Sequence, residues 1–239
     1  MTGWTAKKFW TEVAVTEIDG GFGVVLDARP VRTPLKSVMA MPTRAFAEAV
    51  AEEWRAVVKT VDPNLMPMTR AANSALDKVT LQRTDVVEML AAYGESDLLC
   101  YRAALPEALV ARQHAVWQPW LDWAAKEFGA PLRTTVGVIP IAQDQKTASR
   151  LKSELDAMTA FQLTGVHDLI TISGSLVLAL AVVKGALTAE GAWDASRLDE
   201  LWQIEQWGAD EEAEELSRIK RADFIRGHQI FDMAQVGTT

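Results

Sequence analysis

From Phe9 to Met41 apolar and polar positions alternate. Phe9, Thr11, Val13 and Val15 share one face of an extended segment, Asp19-Gly20-Gly21 supplies turn chemistry, and Phe22, Val24 and Leu26 resume the alternation, so the pattern predicts a hairpin. Arg29-Pro30 opens a further turn, and Val31, Thr33 and Leu35 form a third alternating run, with Pro34 placing it at an edge or a strand end. At Pro42-Thr43 the period becomes helical. Phe46, Val50, Trp54, Val57 and Val61 then lie on one face of a helix that ends before Asp62-Pro63-Asn64. A sheet with one apolar face needs such a cover, so residues 1–70 read as a small α/β domain, a β-meander covered by a helix.

Beyond Thr69 the helical period dominates, interrupted at Gly94, Pro106, Pro119, Gly129, Asp144, Gly165 and Gly185. Pro119 removes a backbone donor and crowds the preceding turn, which predicts two helices or one bent helix across Pro106 to Phe128. The Thr- and Val-containing stretch 132–141 reads as extended, a strand able to return to the first domain. Near the end, Ala209 to Ala234 reads as one helix with an apolar stripe of Ala209, Ala213, Leu216, Ile219, Phe224, Ile230, Phe231 and Ala234. Residues 71–239 are therefore expected to form a larger all-helical, orthogonal-bundle-like domain. The fold class is α+β.

Composition narrows the function classes. A formal charge of −8 with scattered lysines and arginines argues against a nucleic-acid partner, whose phosphates require a basic stripe. No apolar run approaches the about 20 residues that span a bilayer, so membrane insertion is not expected. Cys100 is the single cysteine, so there is no internal disulfide and no cysteine-rich metal site, and its apolar neighbours mark it as core filling. The N-terminal stretch MTGWTAKKFW shows neither an h-region nor an amphipathic presequence, and a cytoplasmic monomer is expected.

Candidate chemistry is sparse. His114, His167 and His228 are widely spaced and match no metal-ligand pattern, so no metal or other cofactor is expected. His167-Asp168 is the best acid/base candidate for a small hydrolase or transferase, but neighbours on a helix point about 100° apart and are not expected to face each other. Ser173 and Ser175 lack the Gly-x-Ser-x-Gly elbow, and one or the other is read as the cap of the apolar helix that follows. Gly20-Gly21-Phe22-Gly23 lies between strands and reads as a turn.

The most distinctive stretch is SRLDELWQIEQWGADEEAEE, Ser196 to Glu215, where tryptophans meet a dense acidic run. Trp202, Glu205, Trp207, Asp210, Glu211 and Glu212 are the candidate partner-binding residues, with Trp207 the aromatic expected to be exposed. Glu212 sits at the border of the apolar stripe. It therefore needs an internal cation, water or a partner.

Together with FWTEVAV (Phe9 to Val15), LDARPVRTP (Leu26 to Pro34), MPMTRAANSALD (Met66 to Asp77), SDLLCYRA (Ser96 to Ala103), RQHAVWQPWLDWA (Arg112 to Ala124) and SGSLVLALAV (Ser173 to Val182), this stretch resembles a known family. The family is the assembly chaperones that hold the alpha subunit of the ATP synthase catalytic head. The resemblance runs from about Phe9 to Phe224 and implies a small α/β domain followed by a helical one, no enzyme activity, no nucleotide requirement, and the ATP synthase alpha subunit as partner. Ala28 stands where the family commonly has glycine in an Asp-Gly-Arg-Pro turn, which would be strained if alanine took a positive φ. A general two-domain adaptor unrelated to ATP synthase is the remaining alternative.

Overall fold

In the computed structural model, which describes residues 7–236, the predicted hairpin is formed by β1 (Val13–Ile18) and β2 (Gly21–Leu26). They pair antiparallel from Val13↔Leu26 to Ile18↔Gly21, and β3 (Arg29–Pro30) extends the sheet in the order β1-β2-β3. Gly21 is indispensable at the turn. Its φ is +138°, and a Cβ there would collide with the Met41 carbonyl, which accepts a hydrogen bond from the Phe22 amide at 2.9 Å.

The third run is shorter than its alternation predicts. After β3 only an isolated Arg32↔Val38 bridge continues it, because the chain reverses in a turn where the Lys36 amide donates to the Thr33 carbonyl at 2.9 Å; Asp77 braces that turn, accepting from Thr33 Oγ1 at 2.7 Å and from the Leu35 amide. The strain anticipated at Ala28 falls one residue earlier. Asp27 carries the positive φ, 54°, and its carboxylate accepts from the Thr11 and Glu12 amides. Those two amide bonds also hold its carboxyl below the usual range.

The expected covering helix is α1 (Arg44–Ala56), which stops short of Val61. Thr43 caps it, accepting from the Phe46 amide at 3.1 Å and donating to the Met233 carbonyl. Phe46, Ala47, Val50 and Ala51 are fully buried against Val24, Leu26, Met39 and Met41, and the Phe46 ring meets Phe161 edge-on at 5.2 Å. Glu53, near the end of α1, receives the Met68 and Thr69 amides and so satisfies the start of α2 (Pro67–Ser74). A π-helical turn, Ala75–Val79, follows and carries Asp77.

The chain divides into two compact units. The first runs to Arg83, beyond the expected end near residue 70, and includes Thr159–Thr164 and the chain from Ile230 onward. Asp77 explains part of that extension, since it ties the π-turn to the Thr33–Leu35 loop. The second unit comprises Thr84–Met158 and Gly165–Gln229 and is mostly helical. The fold is α+β, as expected: 61% helical and 10% strand.

Helices α3 (Arg83–Ala91) and α4 (Glu107–Glu127) come first in the helical part; α4 runs unbroken through Pro119 rather than splitting. The stretch 132–141 contributes only β5 (Thr135–Val136), which pairs in parallel with β4 (Tyr101–Arg102). It therefore completes a two-stranded sheet within the second unit and does not return to the first.

Then follow α5 (Gln145–Asp156), α6 (Ala160–Ser173), α7 (Leu176–Val183) and α8 (Ala189–Ser196). Seven residues of α7 are buried, from Leu176 to Val182, making it the centre of the second core. Of the two candidate serines, Ser175 is the cap of α7, accepting from the Leu178 amide. A fully buried carboxylate, Asp97, completes the cap by accepting from Ser175 Oγ at 2.8 Å and from the Val177 and Leu99 amides at 3.0 Å each.

Two further helices, α9 (Leu198–Trp207) and α10 (Glu211–Met233), end the described fold. Trp117 of α4 donates its indole N–H to the Ala195 carbonyl at 2.8 Å. Gly227 of α10 packs so near α6 that a Cβ there would lie 2.8 Å from the Gly165 carbonyl oxygen.

Candidate functional site

Only Leu198 of α9 is buried. Beyond it Leu201, Ile204 and Trp207 stand three positions apart and are all exposed, Trp207 to 80%, while Trp202 between them is half-buried. Gly208 ends the helix with φ +91°, a conformation that suits glycine, and its amide closes onto the Ile204 carbonyl. Asp210 then caps α10, its carboxylate accepting from the Glu212 amide at 3.1 Å. Glu211, Glu212 and Glu214 fill the first turn, where negative charge complements the helix dipole.

The apolar stripe of α10 changes character along its length. Phe224, Ile230, Phe231 and Ala234 are buried, as the periodicity requires, but Leu216 and Ile219 are exposed to 52% and 47%. A stripe that is core at one end and bare at the other lacks a covering element over its first half. Together with α9 it leaves five large apolar side chains in water along a short stretch of chain, framed by carboxylates.

The six predicted contact residues separate into three groups. Trp207, Glu211 and Glu212 are exposed, and among the described residues no cation lies within ion-pair distance of Glu212. Asp210 has a capping role. Trp202 and Glu205 are engaged internally: Arg112 Nη1 lies 2.8 Å from Glu205 Oε1, and its guanidinium sits 4.9 Å from the Trp202 ring. That hydrogen bond raises the Arg112 pKa and lowers that of Glu205. The pair fastens α9 to α4 and so positions the exposed face.

Leu201, Ile204, Leu216 and Ile219 were not among the predicted contact residues. The three-residue spacing of Leu201, Ile204 and Trp207 was the available signal. Leu216 and Ile219 carried none of their own, since the same periodicity marks a core stripe.

One geometric expectation fails. His167 Nδ1 and Asp168 Oδ1 are 2.9 Å apart although the residues are adjacent on α6. The Cα–Cβ directions do diverge, but on an open helix face the rotamers can swing both tips together, and both side chains are more than a third exposed. Nearby, Thr171 Oγ1 donates to the His167 backbone carbonyl, an ordinary local helix bond.

Cys100 is buried, with its thiol pushed up to about 12 chiefly by burial and then by the Asp97 charge. It is held as an inert thiol. Among the described residues no group of three His, Cys, Asp or Glu side chains could hold a metal ion, and no helix is long and apolar enough to cross a membrane.

Exposed large apolar side chains beside carboxylates suit a surface that meets another macromolecule, and the class of protein, a chaperone, follows from the family and structures that the chain matches. Comparison with known proteins gives the particular family. The family profile described as ATP12 chaperone protein matches residues 7–125. The crystal structure of Atp12 from Paracoccus denitrificans is 47% identical, with a TM-score of 0.93, and the match covers 96% of this chain and 99% of that one. A solved protein from Agrobacterium tumefaciens is 38% identical, with a TM-score of 0.90, over 97% of this chain and 87% of that one. The mitochondrial protein atp12 of Schizosaccharomyces pombe is 22% identical over 222 residues, 88% of this chain and 76% of the yeast protein. The chain belongs to the ATP12 chaperone family.

Proposed function

We propose that this protein is an assembly chaperone for the catalytic head of ATP synthase, holding the newly made alpha subunit as a monomeric partner, without nucleotide and without catalytic turnover. The observation that carries the reading is the bare face of Leu201, Ile204, Trp207, Leu216 and Ile219 beside an acidic first turn, in a chain of this family. An unassembled subunit exposes the apolar surface that its neighbour will later cover, and such surface drives wrong association until it is shielded. Covering it with aliphatic and aromatic side chains stabilises the complex by about 1.5–3 kcal/mol for each side chain fully buried. The carboxylates select a client surface carrying arginine or lysine around its apolar patch.

The test uses purified alpha subunit, diluted from denaturant with and without equimolar chaperone. Light scattering should be suppressed equally with ATP present or absent, and a stable one-to-one complex should elute on gel filtration. Undiminished aggregation in the presence of folded chaperone would exclude the reading.

A further inference from the structure

The chain entering β1 runs beside the segment that follows α1. Lys7 bridges Thr60 in antiparallel fashion, and the Lys8 amide donates to the Lys59 carbonyl at 2.9 Å. Here lies an open groove of about 640 Å³, lined by Lys7, Lys8, Lys59, Phe9, Trp10 and Val58 among others. Its size is that of a ligand site. Its charge is the reverse of the molecule's: three lysines and no carboxylate line it, in a chain of formal charge −8.

The lysines are not equivalent. Lys8 is used internally, its Nζ donating to the Val57 carbonyl at 2.8 Å and lying 5.8 Å from the Trp10 ring. Lys7 and Lys59 are exposed, and among the described residues no carboxylate lies within ion-pair distance of either. Asp62, three residues from Lys59, accepts from the Asn64 amide, and Asp27 accepts from the Thr11 and Glu12 amides. Arg29 adds positive charge at the Phe9 ring, 5.5 Å from its centroid.

The apolar part of the lining points to a ligand that is more than a small ion. Phe9 and Val58 line the same groove yet are exposed to 58% and 81%, so apolar surface stands open beside the ammonium groups. Trp10, also in the lining, is only 3% exposed, and its indole N–H has no acceptor among the described residues. A buried donor without an acceptor is costly and uncommon. The groove thus offers cations and apolar contact together, with the Trp10 indole in its wall.

We infer that this groove docks an acidic, extended segment of a partner protein, its carboxylates set against Lys7 and Lys59 and an apolar side chain against Phe9 and Val58. Charge complementarity argues for the acidic class. The chain as a whole repels anions, so attraction is local to these groups and is screened over about 8 Å at physiological salt. The exposed apolar pair argues for a peptide rather than an inorganic anion. This inference stands apart from the α9 and α10 face and does not depend on it.

The experiment titrates the full chain, with its tryptophan indoles labelled with nitrogen-15, against a short blocked peptide alternating glutamate with leucine. The Trp10 resonance is assigned from Trp10→Phe. The peptide should shift that resonance, bind more weakly as salt rises, and lose at least tenfold in affinity to Lys7→Glu combined with Lys59→Glu, since each exposed pair supplies a factor of up to about five and reversal makes it repulsive. Lys7→Arg with Lys59→Arg should retain binding, and circular dichroism should show both double variants folded. Equal binding of a glutamine-leucine peptide would overturn the inference, as would an unmoved Trp10 resonance. The same shift from inorganic phosphate or free glutamate at the same concentration would make this a small-anion site and overturn the protein-segment assignment.

Discussion

Replacing Asp97 by asparagine tests how the second core is held together, because this one carboxylate joins the Asp97–Cys100 turn to the start of α7. Both oxygens are in use, Oδ1 accepting from Ser175 Oγ and the Leu99 amide, and Oδ2 from the Val177 amide. Asparagine keeps one acceptor but turns an N–H₂ toward an N–H, leaving a buried donor unmet on each side. Each unmet donor costs about 1–3 kcal/mol.

The charge acts in the opposite direction. Burial raises the Asp97 pKa from 3.8 to about 6 against the pull of its hydrogen bonds, so the ionised form costs about 3 kcal/mol more in the folded than in the unfolded state. Asparagine is relieved of that cost. At neutral pH the two effects largely cancel, and the measured loss should be smaller than either.

The pH dependence separates them. Because the folded pKa lies above the unfolded one, the native state binds the proton first, and the contribution of Asp97 to stability grows as pH falls through 6 and is complete below 3.8. Asparagine has no such term. Urea unfolding of both proteins at about pH 8 and about pH 5.5, on the alkaline side of the isoelectric point near 5.0, should therefore show the variant losing about 1 kcal/mol more at the lower pH. A difference between the two proteins that stays constant with pH would refute the reasoning.

The remaining predictions concern the docking face and the helix crossing. Trp207→Ala and Glu212→Lys should each weaken alpha-subunit binding about tenfold or more, with the melting temperature unchanged within a degree or so for Trp207→Ala and lowered by only a few degrees for Glu212→Lys, which loses a favourable helix-dipole charge but, among the described residues, no ion-pair partner; a fall in melting temperature large enough to account for the lost binding would make the residues structural. Gly227→Ala should destabilise the fold by about 1–3 kcal/mol in urea titration, because the new Cβ meets the Gly165 backbone oxygen, which cannot swing aside; an unchanged midpoint would show that α6 and α10 separate freely.

Much of the architecture is visible in sequence because it is local. The alternation of Val13, Val15, Val24 and Leu26 with a glycine turn between them specifies a hairpin, and Thr43 followed by Phe46 and Val50 specifies a capped helix with one apolar face, since period and capping act within a few residues. The length of the third strand was not decided locally. It follows the turn after Thr33, which is braced by Asp77, distant in sequence, through Thr33 Oγ1 and the Leu35 amide. The pairing of β5 likewise depends on β4 lying beside it, a long-range choice that Thr and Val content cannot express. On the candidate face, the sequence announced an acidic helix start and an aromatic. Which apolar residues stay bare was decided by tertiary packing alone, because Leu216 and Phe224 belong to one stripe and differ only in whether another element reaches them. Burial is a property of the neighbours a side chain meets, and for α10 those neighbours come from distant parts of the chain.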